Sequence, residues 1–338
     1  MFVAGLDVHL RYVTVAVLDS NGAPQLEVEV PTRTPERLVT HLDRFRPLHV
    51  VVETCPFWPW LYELLVPRGI TFHLAHAKAL RAIAAAPQKH DRVDARLLAR
   101  MYLSGVLPEA YPRSADQREL LCLLRHRTTL VRFRTRLAGR IHSQLHQQRV
   151  LLPREQLLRQ HTRALVAEAW AQVLTPEQLA IVTQHFALID ALTPQIQALE
   201  HRIDHAAQVH PIAPLLATVP GIGPYRSLLL ATELAPLSRF PTAAHVVSYA
   251  GLAPTTRSSG GHTWHGGIPK GANRWVRGAL VSAIPSHVRV APASPVTTAY
   301  TRWKNRRGWR VARVAAARKL ARILYTMWRR QEPWRAAA

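Results

Sequence analysis

Residues 2–8 (FVAGLDV) and 12–18 (YVTVAVL) are β-branched apolar runs joined by a short turn that contains His9 and Arg11. Branched side chains are stiff in a helix and pack well on a pleated surface, so both runs read as strands. Asn21-Gly22 is a hairpin signal, and residues 25–30 (QLEVEV) alternate as a third strand. A sheet begun this early constrains the rest of the chain, because its apolar faces must be covered. The sequence that follows supplies the cover. Thr34-Pro35-Glu36 opens a helix, with Thr34 as N-cap and Pro35 at the first helical position, and Leu38, Val39, Leu42 and Phe45 recur at helical spacing. A buried-looking strand at 50–52, a helix at 58–67, a strand at 70–74 and helices at 77–85 and 91–103 complete the region.

The order βββαβαβα predicts an α/β domain of RNase H-like (RuvC-like) type over residues 1–112. Residues 114–150 read as one long basic helix. Residues 176–208 read as another, with Leu179, Val182, Phe186, Ile189, Leu192, Ile196, Leu199 and Ile203 at heptad-like spacing. A helical hairpin or coiled-coil arm is expected over 113–210, with ordinary packing inside a helical domain as the alternative. From Pro211 onward Pro, Gly and Trp cluster between short helical segments, and 309–330 reads as a basic helix. Residues 211–338 are expected to form a mainly α domain.

Charge is divided unevenly over this plan. Residues 1–112 carry 12 Lys/Arg against 11 Asp/Glu, whereas residues 113–338 carry 32 against 10. Such an excess needs a polyanionic partner or a reason to tolerate self-repulsion. Arg dominates it, and the planar guanidinium suits phosphate better than a Lys point charge does. GC-rich coding DNA favours Arg over Lys but does not explain the lopsided placement. Stretches 125–140 and 302–330 are the expected nucleic-acid contacts, with Arg132, Arg134, Arg136, Arg306, Arg307 and Arg310 as candidates. Only Cys55 and Cys122 occur, without a CxxC, which fits a reducing cytosol. The opening residues read as a strand rather than a signal peptide, and no uncharged apolar run approaches the roughly 20 residues that span a bilayer. The expected location is the bacterial cytoplasm, associated with the nucleoid and not with a membrane.

Four acids stand out by placement. Asp7 ends the first strand, Glu53 ends the strand at 50–52, and Asp91 and Asp94 share a helix face at i and i+3. Hard oxygen ligands of this kind hold Mg²⁺, with Mn²⁺ as the alternative, and two such ions would flank a scissile phosphate. Each acid also has a plainer reading. Asp7 fits a strand-end cap, and Asp91 and Asp94 fit helix-start acids favoured by the dipole. Glu53 is harder to dismiss, because a charge directly after three valines needs a partner.

Residues 248–278 (SYAGLAPTTRSSGGHTWHGGIPKGANRWVRG) hold adjacent serines before a Gly-Gly step. They read as a flexible loop flanked by Arg257 and His262, followed by Lys270 and a helix bearing Arg274 and Arg277. Small residues let a DNA backbone approach while the cations face its phosphates. A serine hydroxyl there would attack a phosphodiester and conserve its bond energy in a phosphoserine. A surface Ser/Gly loop is the plainer reading. Upstream, PGIG at 220–223 fits a helix-hairpin-helix turn or an ordinary turn.

GLDVH at the start, VVVET at 50–54, KHDRVDARLLA at 89–99, PGIG at 220–223 and YAGLAPTTRSSGG at 249–261 together resemble the IS-one-ten family of insertion-sequence transposases. The resemblance covers nearly the whole chain and keeps the family's motif order. It implies a DEDD RuvC-like domain joined to a C-terminal transposase domain, with the four acids at Asp7, Glu53, Asp91 and Asp94. It also implies a nucleophile at Ser259, with Ser258 beside it, and a basic stretch mapping loosely onto Lys270, Arg274 and Arg277. Family members cut donor and target DNA chosen by a bridge RNA encoded by the element. They act as homodimers that synapse into tetramers, with carboxylates and serine supplied by different subunits. The sequence departs from the pattern at His90, where Thr is usual, and at Trp264-His265. Two rivals remain: a RuvC-like nuclease or junction resolvase using water, and a non-catalytic nucleic-acid-binding protein. Paired histidines at 142/146 and 201/205 have no third ligand nearby and fit solvated helix faces better than zinc.

Overall fold

The early strands pair as their spacing requires. In the computed structural model, which describes residues 1–83, 91–152, 154–158, 168–259, 261–267 and 271–335, β1 (Phe2–Val8), β2 (Tyr12–Asp19) and β3 (Pro24–Pro31) form an antiparallel meander. β4 (Leu48–Glu53) lies parallel to β1, β5 (Thr71–Ala75) lies parallel to β4, and the short β6 (Glu109–Ala110) closes the sheet, in the order β3-β2-β1-β4-β5-β6.

Alternation along β1 and β4 assigns each side chain to a face. Ala4, Leu6, Val50 and Val52 face one way and pack with Leu38 and Leu42 of α1 (Pro35–Leu42) and Leu61 and Leu65 of α2 (Trp58–Leu65). Val3 and Val51 face the other way, onto Leu80 of α3 (Ala77–Ile83) and Leu98 and Ala99 of α4 (Asp91–Leu103). The result is one sheet between two helical layers. Gly5 lets α4 press onto β1, since a Cβ there would stand 1.8 Å from the Ala95 carbonyl oxygen. Thr34 holds the N-cap position of α1, but its hydroxyl donates to the Pro31 carbonyl instead of capping the helix. The helix expected at 77–85 is described as far as Ile83.

Contacts divide the chain into two compact units, Met1–Ser114 and Ala115–Ala338. The second is helical. α5 (Ala115–Gln147) is followed by the single turn α6 (Arg154–Leu157) and by α7 (Pro176–Val209), which opens with a Thr175/Gln178 capping box. α5 and α7 pack antiparallel: Ala138, Ile141 and Leu145 meet Val182 and Ile189 at one end, and Arg127 pairs with Glu200 nearer the other. α7 buries Val182, Ile189, Ile196 and Ile203, one residue in seven. Leu121, Leu124, Ile203 and Ala207 then join the core of the remaining helices, so the base of this hairpin belongs to the same hydrophobic body as the C-terminal segment.

That body comprises α8 (Ala213–Ala217), α9 (Pro224–Leu234), α10 (Ala243–Tyr249), α11 (Arg274–Val290) and α12 (Pro295–Arg330). The basic helix expected at 309–330 is the second limb of α12, which begins at Pro295 and breaks at Gly308 (φ 77°, ψ 171°). The serine segment is not a plain loop: β7 (Thr256–Ser259) and β8 (His262–His265) form a hairpin. Among the described residues no helix is long and apolar enough to cross a membrane.

Candidate active site and nucleic-acid interface

The strand register brings two acids together. Leu6 pairs with Val52 across the parallel β1/β4 ladder, so Asp7 and Glu53 follow as neighbours at the strands' C-terminal ends. By alternation both face the α4 side. The direction of α4 follows from its contacts. The Tyr102 hydroxyl hydrogen-bonds His49, which pairs with Val3, and Arg96 binds Glu27 in the row of Gly5. α4 therefore runs antiparallel to β1, and its first turn, with Asp94, lies toward the end of the sheet that carries Asp7 and Glu53. Asp91 is the first residue of α4, and its side chain lies outside the described residues, as does that of Arg257 and the whole of Lys270.

The Cys55 thiol registers the same convergence. Burial pushes its pKa up, and the Glu53 and Asp7 carboxylates push in the same direction, so one thiol lies within electrostatic reach of both. His9 Nε2 lies 3.0 Å from Asp7 Oδ2, a hydrogen bond in the tautomer that protonates Nε2. Among the described residues no three His, Cys, Asp or Glu form a group that would hold a metal ion.

In the second unit, the hairpin separates the two serines. Ser258 Oγ lies 3.0 Å from Thr263 Oγ1 across the ladder. Ser259 pairs with His262 at the end of the ladder, exposed, and its hydroxyl has no hydrogen-bond partner among the described residues. Directly opposed residues share a face with Cβ atoms about 5 Å apart, so Ser259 and His262 lie on one face of the hairpin.

Two arginines expected to bind nucleic acid meet in a cavity of about 600 Å³. Arg132 from α5 and Arg274 from the first turn of α11 line it, together with Arg127, Arg226 and the carboxylates of Glu200 and Asp204. The N-terminus of α9, capped by Gly223 without a side chain, opens into the same space. Burial holds the Arg226 guanidinium below its usual range, and neighbouring Arg127 adds to that effect. Arg226 is fixed by Ser282 and by the carbonyl of Gly221. Gly221 itself (φ 87°) sits against α11, where a Cβ would come 2.8 Å from the Ala283 carbonyl oxygen. The PGIG segment is thus a packing turn that delivers a helix start to the cavity.

Arg136, Arg306, Arg307 and Arg310 are exposed, Arg134 and Arg277 are half-buried, and none of these enters that cavity. Trp328 is buried in the core and Trp334 packs against it, whereas Trp303 and Trp309 are exposed, with Arg310 and Arg313 over the Trp309 ring.

Two family models match this arrangement in order. The DEDD transposase model of the IS110 group spans residues 4–149, the first unit and all of α5, and the model described as Transposase IS116/IS110/IS902 family spans residues 213–300, including the serine hairpin. Both matched segments are similar to the IS110/IS116 transposase family. It is 32% identical over 182 residues to the insertion element IS110 uncharacterized 43.6 kDa protein of Streptomyces coelicolor, a match covering 54% of this chain and 40% of that protein. It is 25% identical over 283 residues to the transposase for insertion sequence element IS1328 of Yersinia enterocolitica, covering 82% and 83%. It is 27% identical over 222 residues to the pilin gene-inverting protein of Moraxella bovis, covering 63% and 58%.

Sequence reasoning missed several residues that shape these sites. Arg127 and Arg226 belong to the cavity, and Glu233, fully buried, accepts from Arg125 Nη2 at 2.8 Å and Asn273 Nδ2 at 2.9 Å. Asn273 in turn caps α11 through Trp275 N and Val276 N. An acid deep in an apolar helix (LLLATEL) was the available signal, since such a charge must be paired.

Proposed function

We propose that the chain is an insertion-sequence transposase that cuts and rejoins DNA through Ser259, assisted by a divalent ion held by Asp7, Glu53, Asp91 and Asp94. The observation that carries this reading is the pairing of Asp7 and Glu53 at adjacent strand ends beneath the first turn of α4. The sheet order 3-2-1-4-5 also supports an RNase H-like domain there. The donors suit Mg²⁺ or Mn²⁺: they are hard carboxylate oxygens on rigid elements, and their mutual repulsion calls for a cation. A bound ion would neutralise charge developing on the phosphate.

The chain's own residues do the rest. The Ser259 oxygen forms a bond to phosphorus as the bond from phosphorus to a sugar oxygen breaks. The hydroxyl proton passes to the His262 imidazole, and the departing sugar oxygen takes up a proton from solvent water. The phosphoserine keeps one phosphoester, so a free strand end can displace Ser259 and rejoin the DNA without another energy source. The basic cavity and the exposed arginines of α5 and α12 hold donor and target backbones. The resemblance adds a guide RNA to these polyanions, a homodimer that assembles into a tetramer, and a C-terminal transposase domain, which the sequence bounds at 211–338 after a helical arm at 113–210. The pilin gene-inverting relative favours rejoining over simple hydrolysis.

The test is an adduct assay. With DNA, guide RNA and Mg²⁺, denatured protein should carry a DNA end that maps to Ser259 and is absent from Ser259→Ala. An adduct that persists in that variant, or maps to Ser258, refutes the assignment, and cleavage without any adduct favours a nuclease that uses water. If the two halves of the machinery come from different subunits, mixing Ser259→Ala with Asp94→Asn restores part of the activity.

A further inference from the structure

A second cavity, of about 530 Å³, lies at the foot of the serine hairpin and plays no part in the reading above. We propose that it receives one unstacked nucleobase of a DNA single strand and so anchors the strand presented to Ser259.

The walls suit a flat ring. On the hairpin side they are Leu252, Pro254 and the bare backbone of Gly266 and Gly267. Gly266 adds no side chain to this wall, and a Cβ there would stand 2.3 Å from Thr255 Oγ1 and displace that hydroxyl, so the wall is low and open. The facing wall is Trp303, Val311, Val314 and Ala315 of α12. Trp303 is 38% exposed and offers an aromatic face, which stacks on any base.

The charge around the cavity identifies what carries the ring. Arg310 and Arg318 stand among its walls, and among the described residues no acid lines it. Between Glu233 and Glu332 the chain contains no Asp or Glu and 17 Lys/Arg. An apolar side chain of a protein partner would fill the walls but would leave these cations unanswered. A base on a phosphate backbone uses the aromatic face, the apolar walls and the surrounding cations together.

The position fits the chemistry. Thr255 pairs with Gly267 at the foot of the hairpin, four residues from Ser259. That is about 13 Å of strand, so a base held in the cavity places a phosphate within about four nucleotides at the serine. The choice of DNA over RNA rests on the hairpin being the DNA-cutting element; the cavity's preference for a base does not.

The experiment compares the full chain's affinity for a labelled single-stranded DNA oligonucleotide and for a matched oligonucleotide with abasic internal positions, over a salt series. The base-bearing strand should bind at least about tenfold tighter. Ala315→Leu, which fills the cavity without changing charge, and Trp303→Leu, which removes the ring, should each cut that ratio to about twofold and leave the salt slope unchanged. Equal thermal midpoints confirm that the variants fold. Equal affinity for the two strands in the parent protein overturns the proposal, as does a ratio that survives both substitutions. A larger base-dependent gain for RNA of the same sequence overturns the assignment to DNA. The adduct assay is separate: loss of the Ser259 adduct reading leaves the affinity ratio intact, and loss of the ratio leaves the adduct intact.

Discussion

The two units place their minority of awkward charges in opposite ways. The first, nearly neutral, sets Asp7 and Glu53 side by side at the end of a sheet whose strands are otherwise apolar. The second, strongly basic, commits two of its acids to arginines inside the fold: Glu233 is buried against Arg125 and Asn273, and half-buried Glu200 is occupied by Arg127. Arg136, Arg306, Arg307 and Arg310, among others, face outward. In one unit the unrelieved charge is negative and compact, suited to a cation. In the other it is positive and spread out, suited to a phosphate backbone. Each arrangement costs stability when empty and is relieved by a ligand of the opposite sign.

The largest expected effect attacks the negative cluster. Asp7→Asn, Glu53→Gln or Asp94→Asn should lower DNA cleavage by about 10³-fold or more, because each removes a ligand to an ion worth several kcal/mol in the transition state. Nucleic-acid binding should be unchanged. Mg²⁺ should raise the thermal midpoint of the parent protein by mass action and fail to raise that of the variants. Wild-type cleavage by Asp94→Asn would remove the contrast between the units.

Next is the buried acid of the basic unit. Arg125→Met strands the Glu233 carboxylate and should cost about 3–5 kcal/mol in urea unfolding. Adding Glu233→Gln should recover part of that loss. A single substitution without effect would mean that Glu233 is not held by charge.

A smaller loss, about 3 kcal/mol, is expected for Gly221→Ala, which combines a left-handed backbone with a Cβ too close to α11. The same steric conflict at Gly5 lies beneath α4, so Gly5→Ala should reduce cleavage as well as stability, whereas Gly221→Ala should not alter the carboxylate site. Chevron or melting data together with cleavage rates separate the two.

The smallest effect is on pH. Burial lowers the pKa of His287, whose ring bonds the Pro220 carbonyl and Ser294 Oγ. A histidine depressed in the folded state contributes stability above its usual value of 6.5 that is lost as pH falls below it. The thermal midpoint should therefore drop on acidification from pH 7 to 5, less steeply in His287→Gln. A steeper drop in the variant would contradict this sign.

The sequence by itself determined the early strands, the long helices and the positions of the candidate acids. Runs of branched apolar residues marked β1, β2 and β4, alternation marked β3, and the strand ends marked Asp7 and Glu53, because residue pattern and strand termination are local properties. Charge counting likewise located the basic unit. Tertiary structure decided what meets what. Nothing local says that α4 covers the face shared by Asp7 and Glu53, since that depends on where a distant helix finds a groove, here the bare backbone of Gly5. Nothing local distinguishes Ser258 from Ser259, because a one-residue shift in hairpin register would exchange their faces and their partners. Arg132 and Arg274, 142 residues apart in the chain, share a cavity only because α5, α9 and α11 pack around one core. Sequence patterns record the faces an element must bury, whereas the site arises from which buried faces select one another.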